Sequence, residues 1–220
     1  MSSAKKFVLT SLAILLLAGC GPTRQDKGDF DILITGGLVV DGSGAPGVRA
    51  DVGIREGTIA AVGDLGKAEA HRVIDATGLV VAPGIIDIHS HSDYSLLVDG
   101  NAESKIRQGV TTEILGEATS AGPLPLDSNE EPRQESAIYG VKFNWQTLGE
   151  YLERLQASGI SVNAGSYVGS MTVRRCVMGE TNRKATQDEI EQMAELVEQA
   201  MREGALGVAT ALLGSPLSTE

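Results

Sequence analysis

The chain has 220 residues, 42% of them hydrophobic and 21% charged, with 27 glycines and few aromatics. This is a globular composition, rich in the residue that makes tight loops. The formal net charge of -11 excludes a nucleic-acid partner, because no basic surface is large enough to follow a phosphate backbone. Cys20 and Cys176, the two cysteines, are too few for a disulfide-dense scaffold.

Residues 1–20 read as a targeting segment. Lys5 and Lys6 form a positive start, and Phe7 to Ala18 is an apolar run too short for an ordinary membrane span. Leu17-Ala18-Gly19-Cys20 resembles the bacterial lipoprotein cleavage box. The resemblance implies cleavage before Cys20, lipid attached to its sulfur, and a periplasm-facing protein anchored in the bacterial cell envelope. A plain secretory signal is the alternative. Residues 21–29 are polar and read as a tether.

Residues 30–82 show short apolar strands at close spacing. The segments are Asp31–Thr35, Leu38–Val40, Ala50–Arg55, Thr58–Gly63, Arg72–Asp75 and Leu79–Ala82. Gly36-Gly37, Asp41-Gly42-Ser43-Gly44 and Glu56-Gly57 read as turns between them. Period-two strands of this kind predict a small all-β unit. His71 reads as a surface residue.

From Pro83 the rhythm becomes strand, loop, helix. Ile85–Ile88 is a strand, Ala102–Gln108 a short helix and Thr111–Leu115 a second strand. A long loop, Gly116–Asn144, carries prolines that preclude a continuous helix. Thr147–Ala157 has Leu148, Tyr151, Leu152 and Leu155 at helical spacing. Ile160–Ala164 is a third strand. Thr186 and Glu189 form a capping box. Ile190, Met193, Ala194, Val197 and Met201 mark the apolar stripe of a long helix, which Gly204 closes. Leu206–Leu213 is a fourth strand. Alternating strands and helices predict parallel βα units. An eightfold barrel needs about 250 residues, so residues 83–220 hold about four units. The chain ends in a turn-like segment, so a truncated barrel is expected.

The one concentrated signal for chemistry is Asp87-Ile88-His89-Ser90-His91-Ser92-Asp93, which holds two of the three histidines. Alternate side chains of an extended strand share a face, so His89 and His91 point the same way. Two imidazoles at a strand end can grip a divalent transition metal. Asp87 shares their face and is expected to orient a ligand from behind, with Asp93 as a second acidic neighbour. A His-x-His pair also arises by chance.

Several stretches together resemble the N-terminal half of the amidohydrolase superfamily, nearest its D-aminoacylase (N-acyl-D-amino-acid deacylase) group. They are Asp31–Gly37, Val81-Ala-Pro-Gly-Ile-Ile-Asp-Ile-His-Ser-His-Ser-Asp93, Gln108-Gly-Val-Thr-Thr-Glu113, Thr172–Gly179 and Glu203–Leu213. The resemblance implies an α/β fold: a partial (β/α)8 TIM-like barrel with an N-terminal small β-sandwich domain. That sandwich would be completed by a returning C-terminal segment. It implies Zn(2+) held first by His89 and His91, and hydrolysis of a linear amide in a small-molecule N-acylated amino acid. The catalytic aspartate and two more histidines of the family come from strands 5 to 8, beyond this chain. The fragment alone is therefore expected to be inactive, with the C-terminal half of the barrel as its missing partner.

Two departures matter. The family's ligating cysteine after strand 2 corresponds to Ala118, and strand 4 has no lysine to bridge metals. Glu117, at a strand end, is expected to replace the cysteine as a metal ligand; an exposed loop glutamate is the plain alternative. Ser170 stands where many relatives have histidine. Cys176 reads as a buried free thiol, and Arg174 and Arg175 as solvated or structural. Alternatives remain open: a cyclic-amide hydrolase of the dihydroorotase or hydantoinase kind, and a non-catalytic truncated lipoprotein.

Overall fold

The computed structural model describes residues 29–125 and 138–211. The targeting segment with Cys20, most of the tether, part of the long loop with Pro132, and residues 212–220 lie outside the described residues. The chain divides into two compact units, Met1–Ala82 and Pro83–Glu220.

In the first unit five strands form one sheet: β1 (Phe30–Val39), β2 (Val48–Arg55), β3 (Thr58–Gly63), β4 (Ala70–Asp75) and β5 (Val80–Val81). The order is β3-β2-β1-β4, and β5 also pairs with β1. The β1–β2 and β2–β3 pairs are antiparallel, whereas β4 and β5 run parallel to β1. Glu56 and Gly57 both have positive φ, 51° and 74°. That is the mirror-image two-residue turn whose twist suits a hairpin.

Gly36-Gly37 is not the turn expected of it. β1 runs straight through, and its register against β2 shifts between Ile34 and Gly37. Gly36 sits at φ +71° and donates its N–H to Asp51 Oδ1 at 2.9 Å. A Cβ on Gly37 would come within 2.6 Å of Val81 Cγ2. The glycines therefore make a bulge under a close neighbour instead of reversing the chain. Leu33 and Val52 are buried here, while Val48, Ile59, Val73 and Val80 stay exposed.

The second unit begins with β6 (Ile85–Asp87), then α1 (Ser95–Val98), α2 (Glu103–Ile106) and β7 (Val110–Leu115). After the long loop come α3 (Leu148–Ser158), β8 (Asn163–Ser166), β9 (Val168–Gly169), α4 (Ser170–Met178), α5 (Gln187–Arg202) and β10 (Val208–Ala209). β6, β7 and β8 form a parallel sheet in that order, and β9 pairs parallel with β10. Only Tyr167 separates β8 from β9. Its N–H donates to Leu115 O on one side, and the next residue's N–H donates to Gly207 O on the other, both at 2.9 Å. One stretch thus hands the sheet from β7 to β10, and four parallel segments lie side by side in chain order. The expected strand at Ile160–Ala164 begins three residues late. The N–H of Ser161 is already used by Gly100 O at 2.8 Å.

Two helices start as capping boxes. Thr147 takes the Glu150 N–H, and the Glu150 carboxylate returns to the Thr147 N–H. Thr186 and Glu189 do the same for α5. Leu148, Tyr151 and Leu155 of α3 are buried with Leu115, Trp145 and Val168 in one apolar cluster. The α5 stripe is rotated from the expected one. Met193, Leu196 and Val197 pack on that cluster and Ala200 is buried, while Ile190, Ala194 and Met201 are exposed. Helix α4 went unread in the sequence, although Gly179 at φ +65° closes it in a way glycine often signals.

Cys176 lies on α4, half-buried, and its Sγ donates to Pro123 O at 3.3 Å. Burial pushes the thiol up from 9.0 to about 11. The neighbouring arginines are engaged structurally: Arg174 donates to the carbonyls of Thr181 and Arg183, and Arg175 pairs with Glu180.

Two outcomes follow. In a Cys20→Ser chain, disulfide-reagent labelling of Cys176 at pH 8 should be at least about tenfold slower in the native state than in denaturant, because only the thiolate attacks. Glu189 is held down to about 2 by its hydrogen bonds with Arg183, aided by the Thr186 N–H. A depressed carboxyl stabilises above its unfolded value of 4.5, and the contribution is lost as pH falls towards 2. Glu189→Gln should therefore lower the melting temperature at pH 7, and the gap should close as the pH approaches 2.

Candidate metal site

The parallel pairing of β6 with β7 fixes the approach to residues 89–91. β6 ends at Asp87, short of the histidines, but the alternation continues past it. Ser90 donates its N–H to Ile114 O at 3.0 Å and its side chain is turned inward, 2% exposed. His89 and His91 on either side are exposed. Their Nε2 atoms are 3.2 Å apart, with ring centroids 5.1 Å apart and planes at 70°. Two nitrogens bound to one tetrahedral zinc at ~2.0–2.1 Å lie roughly 3.3 Å from each other. The pair fits one ion. In the absence of an ion the same spacing is an N–H···N hydrogen bond between the rings.

The acidic neighbours are used differently from the expectation. Asp87 does not orient an imidazole ring. Its Oδ1 accepts the backbone N–H of His89 at 3.2 Å, and its Oδ2 pairs with Lys105 Nζ at 2.6 Å. The Lys105 hydrogen bond holds the Asp87 carboxyl below its ordinary range, and Asp87 in turn raises Lys105. Asp93 is buried, close to the backbone N–H groups of Gly116 and Ala121. Burial pushes its carboxyl up to about 6, and the Glu113 charge adds to the rise. The Asp93 carbonyl accepts the Tyr151 hydroxyl at 2.6 Å, and burial raises that hydroxyl.

Glu117 follows β7 in a tightly held loop. Gly116 is at φ +83°, and a Cβ there would lie 2.1 Å from Tyr167 O. Ala118, at φ +58°, accepts the Met171 N–H at 3.0 Å. Ser120 and Thr172 join the loop to the start of α4, with Ser120 N–H to Thr172 Oγ1 at 2.8 Å. Among the described residues no three His, Cys, Asp or Glu side chains are gathered so as to hold a metal. The structure thus brings His89 and His91 together and does not bring Glu117 to them. Ser170 opens α4, and His71 is exposed on β4.

Two residues beneath the site were missed in the sequence. Glu113 of β7 is fully buried, and Lys105 of α2 reaches it at 3.3 Å. The signal was available: Glu113 alternates with Leu115 onto the buried side of a strand, where a carboxylate needs a partner.

A profile of the amidohydrolase family matches residues 72–219, and one of the urease alpha-subunit N-terminal domain matches residues 17–87. The D-aminoacylase of Alcaligenes xylosoxydans xylosoxydans is 41% identical over 202 residues, covering 88% of this chain and 40% of that protein. The N-acyl-D-aspartate deacylase of the same organism is 35% identical over 189 residues, covering 86% of this chain and 38% of its own length. A crystal structure of D-aminoacylase superposes with a TM-score of 0.75 at 41% identity, over 86% of this chain and 40% of that one. The N-acyl-D-glutamate deacylase of Bordetella bronchiseptica, solved with zinc and a phosphonate inhibitor, gives 0.73 at 34% identity, over 83% of this chain and 38% of that one. The chain spans about 40% of the length of the D-aminoacylase that it matches. The chain belongs to the amidohydrolase family.

Proposed function

We propose that this chain serves metal-dependent hydrolysis of the amide bond in N-acyl-D-amino acids, with zinc held first by His89 and His91. The observation that carries the reading is the pair of Nε2 atoms 3.2 Å apart at a parallel strand end. The likeness to D-aminoacylase over most of this chain supports the substrate class. When bound, zinc supplies Lewis acidity and acidifies water towards neutrality.

The chain's own residues have three tasks. His89 and His91 each offer one ring nitrogen from the same side of the backbone. Asp87 holds the His89 backbone through its N–H and is tied to Lys105. Glu117, which the structure does not gather with the pair, is by our reading a third, carboxylate ligand once the metal is bound, a donor zinc accepts. Neither Asp87 nor Asp93 serves as the proton carrier, because the first is ion-paired and the carboxyl of the second is buried beside the backbone N–H groups of Gly116 and Ala121.

The finer architecture follows the same reading. Four parallel segments in chain order support a partial (β/α)8 barrel of about four βα units. The exposed valines and isoleucines of the first sheet are what a second β layer would cover, as in a small β-sandwich. Cys20 at the end of an apolar run supports a lipid anchor facing the periplasm. No helix among the described residues is long and apolar enough to cross a membrane.

The enzyme reading is tested on the full reading frame that contains this chain. Release of acetate from N-acetyl-D-amino acids, in preference to their L forms and to hydantoins, is expected. His89→Ala and His91→Ala should each abolish it together with bound zinc, and Glu117→Ala should lower the zinc content. Preference for hydantoins would favour cyclic amides instead, and a zinc-replete preparation inert on all of these would contradict the enzyme reading. Labelled fatty acid should enter the wild-type protein in bacterial cells and fail to enter Cys20→Ser; equal labelling would refute the anchor.

A further inference from the structure

Beneath the two imidazoles lies a polar cluster that neither the ligands nor the core accounts for. Ser90, between His89 and His91, points into it. Its hydroxyl donates to Glu113 Oε2 in a short bond. Its Oγ in turn lies 2.9 Å from Ser92 Oγ and 3.3 Å from Lys105 Nζ. Lys105 crosses from α2 and reaches both Asp87 Oδ2 at 2.6 Å and Glu113 Oε2 at 3.3 Å. Asp87 closes the circuit by accepting the His89 N–H. The residues immediately before and after Ile88-His89 are thus tied, through one lysine, to a carboxylate of the adjacent strand.

This arrangement is costly unless it does something. Glu113 is fully buried, yet its Oε1 has no hydrogen-bond partner among the described residues. A buried carboxylate with one lone-pair side unmet is a poor way to stabilise a core.

We propose that Lys105 and Glu113 are positioning residues for the His89–His91 pair. They fix the backbone through Ser90 and Asp87 so that both Nε2 atoms converge. This rests on the zinc reading given above.

The test uses the 220-residue chain and zinc alone. Affinity is measured by chelator competition, and ligand geometry by the visible spectrum of the cobalt(II)-substituted chain. Melting temperature and circular dichroism report folding. Wild type should bind one ion, and the His89→Ala/His91→Ala double variant should not. Glu113→Gln and Lys105→Met should each weaken zinc about 10- to 100-fold, as loss of a supporting contact does, and shift the cobalt bands. Lys105→Arg, which keeps the charge, should recover most of the affinity. Because Glu113 is fully buried, Lys105→Met and Ser90→Ala carry the comparison should Glu113→Gln not fold. Variants that fold and bind zinc within about twofold of wild type, while the double histidine variant does not, would overturn the proposal and leave the zinc reading standing. Wild type that binds no zinc, or binds it equally without the histidines, would overturn both.

Discussion

The site depends on one constraint: three consecutive residues must face alternately although the strand that carries them has ended. β6 stops at Asp87, and beyond it only side chains and a single backbone bond can keep the chain extended. Ser90 supplies both, its N–H on Ile114 O and its hydroxyl on the buried Glu113. With Ser90 held inward, His89 and His91 have no choice but the opposite side. Convergence of the two Nε2 atoms is then a result of backbone geometry.

That constraint is passed on by the parallel order of the sheet. β7 lies beside β6, carries Glu113 at its middle and ends in the Gly116–Ser120 loop. The loop has no slack, because Gly116 approaches the Tyr167 carbonyl too closely for any side chain and Ser120 is bonded to Thr172. The β8–Tyr167–β9 stretch then joins β7 to β10. The apolar cluster around Tyr151 and Leu115 backs this layer, and the Tyr151 hydroxyl reaches the carbonyl of Asp93, two residues past His91. Core and site are therefore one connected piece of structure.

Much of this was legible in the sequence. Period two alone put His89 and His91 on one side, and Thr186 with Glu189 announced the start of α5. Other features were not, for physical reasons. Gly36-Gly37 has the chemistry of a turn, and only the neighbouring strand decides that it is a bulge. The α5 stripe was read one step round the helix, because Ile190 and Met201 are as apolar as the residues that pack. Asp87 looked like a partner for an imidazole because it shares the strand face; Lys105, eighteen residues later in sequence, competes for it and wins at 2.6 Å. No local pattern announces such a pairing.

The most direct measurement is zinc K-edge X-ray absorption on the zinc-loaded chain. The account predicts imidazole scattering from two nitrogens at ~2.0–2.1 Å, absent when both histidines are replaced. A spectrum of oxygen or sulfur neighbours alone, or one unchanged by that replacement, would contradict it.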